Sequence, residues 1–348
     1  MTDIHIRKIG LTGRITLNRP KALNALSYDM CLAIEDALDA WATDDSIKML
    51  VIDAEGDRAF CAGGDIQEMY DTAKAGNYNY GRKFWRDEYR MNAKMFEFPK
   101  PVATFLQGFT MGGGVGVGCH GSHRVVGDTC QIAMPEVGIG LVPDVGGSYI
   151  LAKAPDHMGE YLGLTAARMD AGDAITAGFA DYYIPEEQWP ALIAQLEETG
   201  DFSLIDAAAS EPAQGKITAQ LSEINRHFAG ATLLDIVNSL KSEDSEFAAN
   251  TLKALGRNSP LSMACGLEII RRGRAFDNIR PSLEQEFRFT YRSGESGEFV
   301  EGIRAAIIDK DRNPQWTHTL DNPPAAMVMK MLMPLGAEKL TFEKGETA

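Results

Sequence analysis

Along the first half of the chain, short runs of consecutive apolar residues alternate with longer stretches in which apolar residues recur every three or four positions. RITLNRP (14–20), MLVIDAEG (49–56), PVATFLQG (101–108), HRVVG and CQIAM predict strands that stop at glycine, proline or a polar turn. AFCAGGDI (59–66) is a further short apolar segment, broken by paired glycines. Ser27 opens an amphipathic helix whose apolar positions Met30, Ile34, Ala37, Leu38 and Trp41 recur at helical spacing. Strands alternating with helices predict an α/β fold.

The pattern changes near residue 185. From IPEEQWPALIAQLEETG to the 320s it is helical and more polar, and strand signals vanish. Ser259-Pro260 reads as a helix start, because proline fits the first helical position. Ser282 with Gln285 reads as a capping box ahead of EFRFTYR. EPAQGK (211–216) is the linker candidate, and the segment from NPPAAM onward reads as a tail. The expected organisation is a core over 1–185, a helical region over 186–320 and a peripheral tail over 321–348.

Composition narrows the classes. The 348 residues, 45% hydrophobic and 24% charged, suffice for a large core. A formal net charge of −15 argues against sequence-independent nucleic-acid binding, which needs a basic surface. It leaves room for an anionic ligand held by a few local cations or a helix N-terminus. Cys31, Cys61, Cys119, Cys130 and Cys265 are odd in number and lack metal-like spacing. With no secretory leader in MTDIHIRKIG, reduced thiols and a cytoplasmic location are expected. No apolar run approaches the length of about 18 residues that would predict a membrane span.

The chemistry concentrates in MPEVGIGLVPDVGG (134–147), where Glu136 and Asp144 interrupt an otherwise apolar, glycine-rich stretch. A buried carboxylate is costly unless paired, hydrogen-bonded or protonated, so such groups are either satisfied structural features or tuned acid/base residues. Other motifs are weaker. GVGCHG (116–121) matches GxGxxG but lies about ten residues after the preceding strand, too far for a dinucleotide turn. GxxxxGK[ST] and GxSxG are absent, and Cys61 reads as a small buried thiol rather than a nucleophile. His120 and His123 offer no third ligand, so no metal is expected. CAGGD (61–65) and MGGGVG (111–116) present backbone N–H groups that, converging on one oxygen, would form an oxyanion hole.

LNRPKALNALS, AFCAGGDI, GFTMGGGVG and MPEVGIGLVPDVGG, in this order and spacing, resemble the crotonase (enoyl-CoA hydratase/isomerase) superfamily over roughly residues 4–185. The resemblance implies a spiral core of repeated ββα turns followed by helices. It implies an acyl-CoA thioester as ligand, with CoA part of the substrate and no separate cofactor. The thioester oxygen would lie between the N–H groups of Gly64 and Gly113. Hydratases of the superfamily carry one glutamate where this chain has Gly116 and another at Glu136; Asp144 stands where hydratases usually have glycine.

PEVGIGLVPDVGG resembles the 3-hydroxyisobutyryl-CoA hydrolase branch, a step of valine catabolism, more closely. FAGATLLDIVNSL, RNSPLSM and EGIRAAIIDKDRNPQW extend that likeness past the core. On this resemblance Glu136 is general base or nucleophile, Asp144 the second acid/base group and Glu88 the partner of the 3-hydroxyl. Arg19, Lys21, Arg58 and Lys310 are candidates for the CoA phosphates. EVGIG replaces the commoner ETGIG or ETAIG, a change expected to bear on acyl preference. Three readings stay open beside the hydrolase: double-bond chemistry by Glu136 alone, a non-catalytic scaffold, and Asp144 as the cap of a helix starting near Val145. Relatives often form trimers, so a homo-oligomer is a further expectation.

Overall fold

The computed structural model describes residues 2–344; the last four residues of the expected tail lie outside the described residues. Nine strands form among them: β1 (Ile4–Ile9), β2 (Thr12–Leu17), β3 (Met49–Ala54), β4 (Ala59–Cys61), β5 (Val102–Leu106), β6 (Phe109–Met111), β7 (His123–Val126), β8 (Gln131–Ala133) and β9 (Tyr182–Tyr183). β1 and β2 make an antiparallel hairpin with Ile9 opposite Thr12. The other strand pairs are parallel.

A six-stranded sheet runs β1-β2-β3-β5-β7-β9 and a three-stranded sheet β4-β6-β8. From β3 onward, successive strands alternate between the two sheets, so β3–β4, β5–β6 and β7–β8 each make one turn of a spiral. This is the α/β spiral the motifs imply. Its cause is legible in β3 and β5, whose unbroken apolar runs are buried over Met49–Ile52 and Val102–Leu106. Strands covered on both faces need such runs. Met49, Val51, Ala103, Phe105 and Val125 pack with Trp189, Leu192, Ile193 and Leu196 of the Trp189–Thr199 helix.

The chain gathers into two units, each assembled from separated segments. Unit 1 holds both sheets and takes the chain through Asp65, Arg90–Ala133 and Arg168–Ala219. Unit 2 takes Ile66–Tyr89, Met134–Ala167 and the chain from Gln220 on. The expected division at 185/186 follows chain order instead. It puts the Trp189–Thr199 helix with the later helices, although that helix covers sheet residues. It also puts 134–167 with the sheets, although those residues pack in unit 2. Periodicity reveals which face of a helix is apolar, not which partner buries it.

Helix ends follow the sequence with one correction. Ser27 accepts a hydrogen bond from Met30 N–H, and Ser259 accepts one from Ser262 N–H with Pro260 in the first turn. The Ser282 capping box does not form. The Arg280–Ser296 helix begins two residues earlier, with Pro281 in its first turn, so Ser282 lies buried inside it and past the capping position. EPAQGK is irregular yet leads straight into an anchored segment, since Asp173 accepts bonds from Ile217 N–H (3.1 Å) and Thr218 N–H (2.8 Å). The expected peripheral tail is docked. Its Ala325–Leu332 helix buries Met331 and Leu332, and Arg292 donates to the carbonyls of Met331 (3.0 Å) and Met333 (2.7 Å). No described helix is long and apolar enough to cross a membrane.

Candidate active site

Both glycine turns leave the carboxyl ends of neighbouring parallel strands in unit 1. Cys61 of β4 pairs with Thr110 of β6; Gly64 follows three residues after β4 and Gly113 two residues after β6. A Cβ on Gly114 would sit 2.2 Å from the Cys61 carbonyl oxygen, so the two turns touch at a spacing that only glycine permits. Gly113 is the first residue of the Gly113–Gly118 helix, and its N–H has no intrahelical acceptor. At the other turn, Leu26 N–H donates to Gly63 and Asp65 N–H to Leu26, a short ladder that flanks Gly64 without using its N–H.

LNRPKALNALS builds the strap that holds this ladder. Asn24 donates to the carbonyls of Glu55 and Ala59, each at 2.9 Å. Arg19 donates to Ala25 O (2.7 Å) and to Asp65 (3.0 Å).

Unit 2 holds the carboxyl groups. Glu88 lies on the Asn79–Phe96 helix, Glu136 opens the 3-10 turn Glu136–Ile139, and Asp144 precedes the Gly147–Lys153 helix; all three are buried. Tyr89 donates its hydroxyl to Asp144 Oδ2 at 2.7 Å. Burial pushes Glu136 well above the usual carboxylate range, and the Asp144 charge pushes it further. The same two causes raise Glu88. Asp144 rises to about 7 through burial, partly offset by the Tyr89 hydrogen bond. Glu88 Oε1 and Glu136 Oε2 are buried without a hydrogen-bond partner among the described residues.

A fourth buried acid was not foreseen. Glu286 of the Arg280–Ser296 helix accepts from Gly146 N–H (2.9 Å), from Ser148 N–H (3.3 Å) and from the Ser148 hydroxyl. Asp144 therefore does not cap the helix after Val145; Glu286 occupies that place. Burial raises Glu286 to about 8, against these bonds and together with the Asp144 charge. Tyr89 and Glu286 carry one shared sequence signal: a polar group inside a helical run of core positions, beside Phe84 and Trp85 in one case and Leu283 and Phe287 in the other.

Other buried acids of this chain look different. Glu35 is fully buried but takes two bonds of 2.6 Å from Arg90 and lies 2.8 Å from Lys94. Burial would raise it, yet these cations prevail and its pKa is lowered. Glu160 pairs with Arg274 at 2.8 Å and Arg271 at 3.3 Å. Glu35 and Glu160 are satisfied structural charges. Glu88, Glu136 and Asp144 have no cationic partner among the described residues.

Of the cation candidates, Arg19 is engaged by the strap, while Lys21, Arg58 and Lys310 are exposed. All five cysteines are buried and none forms a disulfide. His120 is buried, and His123 stacks on Tyr182. Glu223, His227 and Glu243 bring potential ligand atoms within 4.8 Å of one another. Arg226 already bridges the two carboxylates, at 3.3 Å and 2.7 Å, and supplies the compensating charge.

A family model described as enoyl-CoA hydratase/isomerase matches residues 12–332. The chain belongs to the enoyl-CoA hydratase/isomerase family. A family relative from Arabidopsis thaliana, named probable 3-hydroxyisobutyryl-CoA hydrolase 3, is 36% identical over 317 residues, covering 87% of this chain and 83% of its own. One from Gallus gallus, named 3-hydroxyisobutyryl-CoA hydrolase, mitochondrial, is 35% identical and covers 97% of this chain and 90% of its own. A crystal structure described as an enoyl-CoA hydratase from Rhodobacter sphaeroides 2.4.1 matches with a TM-score of 0.93 and 52% identity, covering 98% of this chain and 100% of its own.

The cytoplasmic expectation is corrected by the relatives from Gallus gallus, Danio rerio and Homo sapiens, each named mitochondrial. Reduced thiols suit any reducing compartment, so a cysteine count could not separate the two.

Proposed function

We propose that this enzyme hydrolyses the thioester of a short 3-hydroxyacyl-CoA, 3-hydroxyisobutyryl-CoA foremost, to the 3-hydroxy acid and free CoA. The observation that carries the reading is the set Glu88, Glu136 and Asp144: buried, raised and without a cationic partner among the described residues, two of them with an oxygen left over for a ligand. The names of the curated relatives support the same substrate.

In this reading the thioester oxygen takes its hydrogen bonds from the N–H groups of Gly64 and Gly113, where negative charge develops as the tetrahedral intermediate forms. Glu136 either takes the proton of the attacking water or attacks the carbonyl itself, giving a mixed anhydride that water opens. Asp144 is the second acid/base group. Burial disfavours two adjacent negative charges, so the pair retains a proton at neutral pH, available to the sulfur as the C–S bond breaks. Glu88, raised by burial and the Asp144 charge, has an oxygen with which to meet the 3-hydroxyl.

Double-bond hydration is the second reading, favoured by the description of the 52% identical structure. Against it, the Gly113–Gly118 helix contains only glycine and valine, so the second glutamate of hydratases is missing there.

The test follows free thiol from 3-hydroxyisobutyryl-CoA beside loss of the crotonyl-CoA double bond. Thiol release from the first, cut about 10²–10⁴-fold in Glu136→Gln with CoA-ester binding retained, is the expected result. Loss of the double bond without thiol release would assign the hydratase reaction instead.

A further inference from the structure

Asp144 sits in a glycine-rich loop where its carboxylate takes a bond from its own backbone N–H, and the titratable groups that feel its charge are Glu88, Tyr89, Glu136 and Glu286. None of these four is a cation. Tyr89 alone among them bonds to the carboxylate, at 2.7 Å. Its ring is fully buried edge-on to Phe287, with centroids 6.2 Å apart, and its oxygen lies 3.5 Å from Thr290 Oγ1. The phenol therefore has one fixed place. Burial and the charges of Asp144 and Glu286 push its titration far above the ordinary value, so it stays a donor wherever the enzyme works.

We propose that Tyr89 is a positioning residue: its hydroxyl fixes Oδ2 of Asp144, so that this carboxyl meets Glu136 and the substrate in one orientation. A donor aimed at a carboxylate stabilises its ionised form. Without it, Asp144 keeps only the bond from its own backbone N–H, and the acid/base pair loses its fixed geometry. Tyr89 touches no reacting atom in this account and acts through Asp144. For its kinetic arm the inference rests on the hydrolase reading.

The experiment has two arms, each run on wild type, Tyr89→Phe and Phe287→Leu. One records kcat for thiol release against pH. The other follows the Asp144 carboxyl by difference infrared titration, identified by its loss in Asp144→Asn, and needs no turnover. In Tyr89→Phe the Asp144-dependent limb and the infrared midpoint both move up by about one to two pH units. Phe287→Leu, which removes the ring contact but keeps the hydroxyl, lowers thermal stability and leaves both midpoints in place.

A Tyr89→Phe enzyme that is slower at every pH with unmoved midpoints would reduce Tyr89 to packing and overturn the proposal. If wild type releases no thiol, the hydrolase reading fails, and the infrared arm alone decides Tyr89. Should Tyr89→Phe not fold, replacement of Tyr89 by 3-fluorotyrosine, a stronger donor, must move the infrared midpoint down; an unmoved midpoint again overturns the proposal.

Discussion

Glu35 and Glu136 are both buried glutamates, and their neighbours make them opposites. Glu35 meets Arg90 and Lys94 and is lowered; Glu136 meets burial and the Asp144 charge and is raised. The raised acids carry a stability consequence whose sign follows from proton counting. Asp144 moves from 3.8 to about 7 on folding, so between those values the folded state binds more protons than the unfolded one. Stability from this group is fully present below the unfolded value and is lost as pH rises through about 7. Thermal midpoints of wild type and Asp144→Asn, compared from pH 4 to pH 8, should show the wild type losing ground to the variant as pH rises. A parallel pair of curves would mean that Asp144 is not raised. Glu136 and Asp144 were legible in the sequence because a charge stands out among glycine and aliphatic residues. Glu286 and Tyr89 were not, because one polar residue in a helical pattern matches many solvent-facing ones until the packing partner is known.

Among the elements, the glycine turns depend on the strands that precede them. The pairings Cys61–Thr110 and Met111–Ala133 bring the ends of β4, β6 and β8 into line, and the Gly114–Cys61 approach locks two of the turns together. Gly114→Ala would place a methyl 2.2 Å from the Cys61 carbonyl and force backbone apart beside both proposed oxyanion donors. The expected cost is about 1–3 kcal/mol in denaturant unfolding, with a fall in kcat larger than any change in KM. Wild-type kcat in Gly114→Ala would remove these turns from the chemistry. The strand runs were legible because covered strands must be continuously apolar. The alternation of those strands between two sheets was not contained in any one run; it came from the resemblance. The misplaced Ser282 cap has a local cause: Pro281 suits the first turn and drew the helix start ahead of the serine.

For the whole molecule, discontinuity is the property that sequence order concealed. A fragment of residues 1–185 looks self-sufficient by pattern, yet it lacks Trp189, Leu192, Ile193 and Leu196, which cover Met49, Val51, Phe105 and Val125. Such a fragment is expected to be insoluble or to lack a cooperative thermal transition by circular dichroism, whereas the full chain melts cooperatively. A cooperatively folding fragment would show that the later helix is dispensable to the sheet.

Glu88 and Tyr89 are consecutive residues on the Asn79–Phe96 helix. The group proposed to read the acyl hydroxyl and the group proposed to steady Asp144 thus ride on a single rigid rod. A substrate that tilted this helix through Glu88 would then also move the phenol proposed to hold Asp144. On these two proposals selectivity and speed are geared to each other, and an enzyme engineered for a bulkier acyl group through Glu88 should need a compensating change on the Asp144 side before it regains its rate.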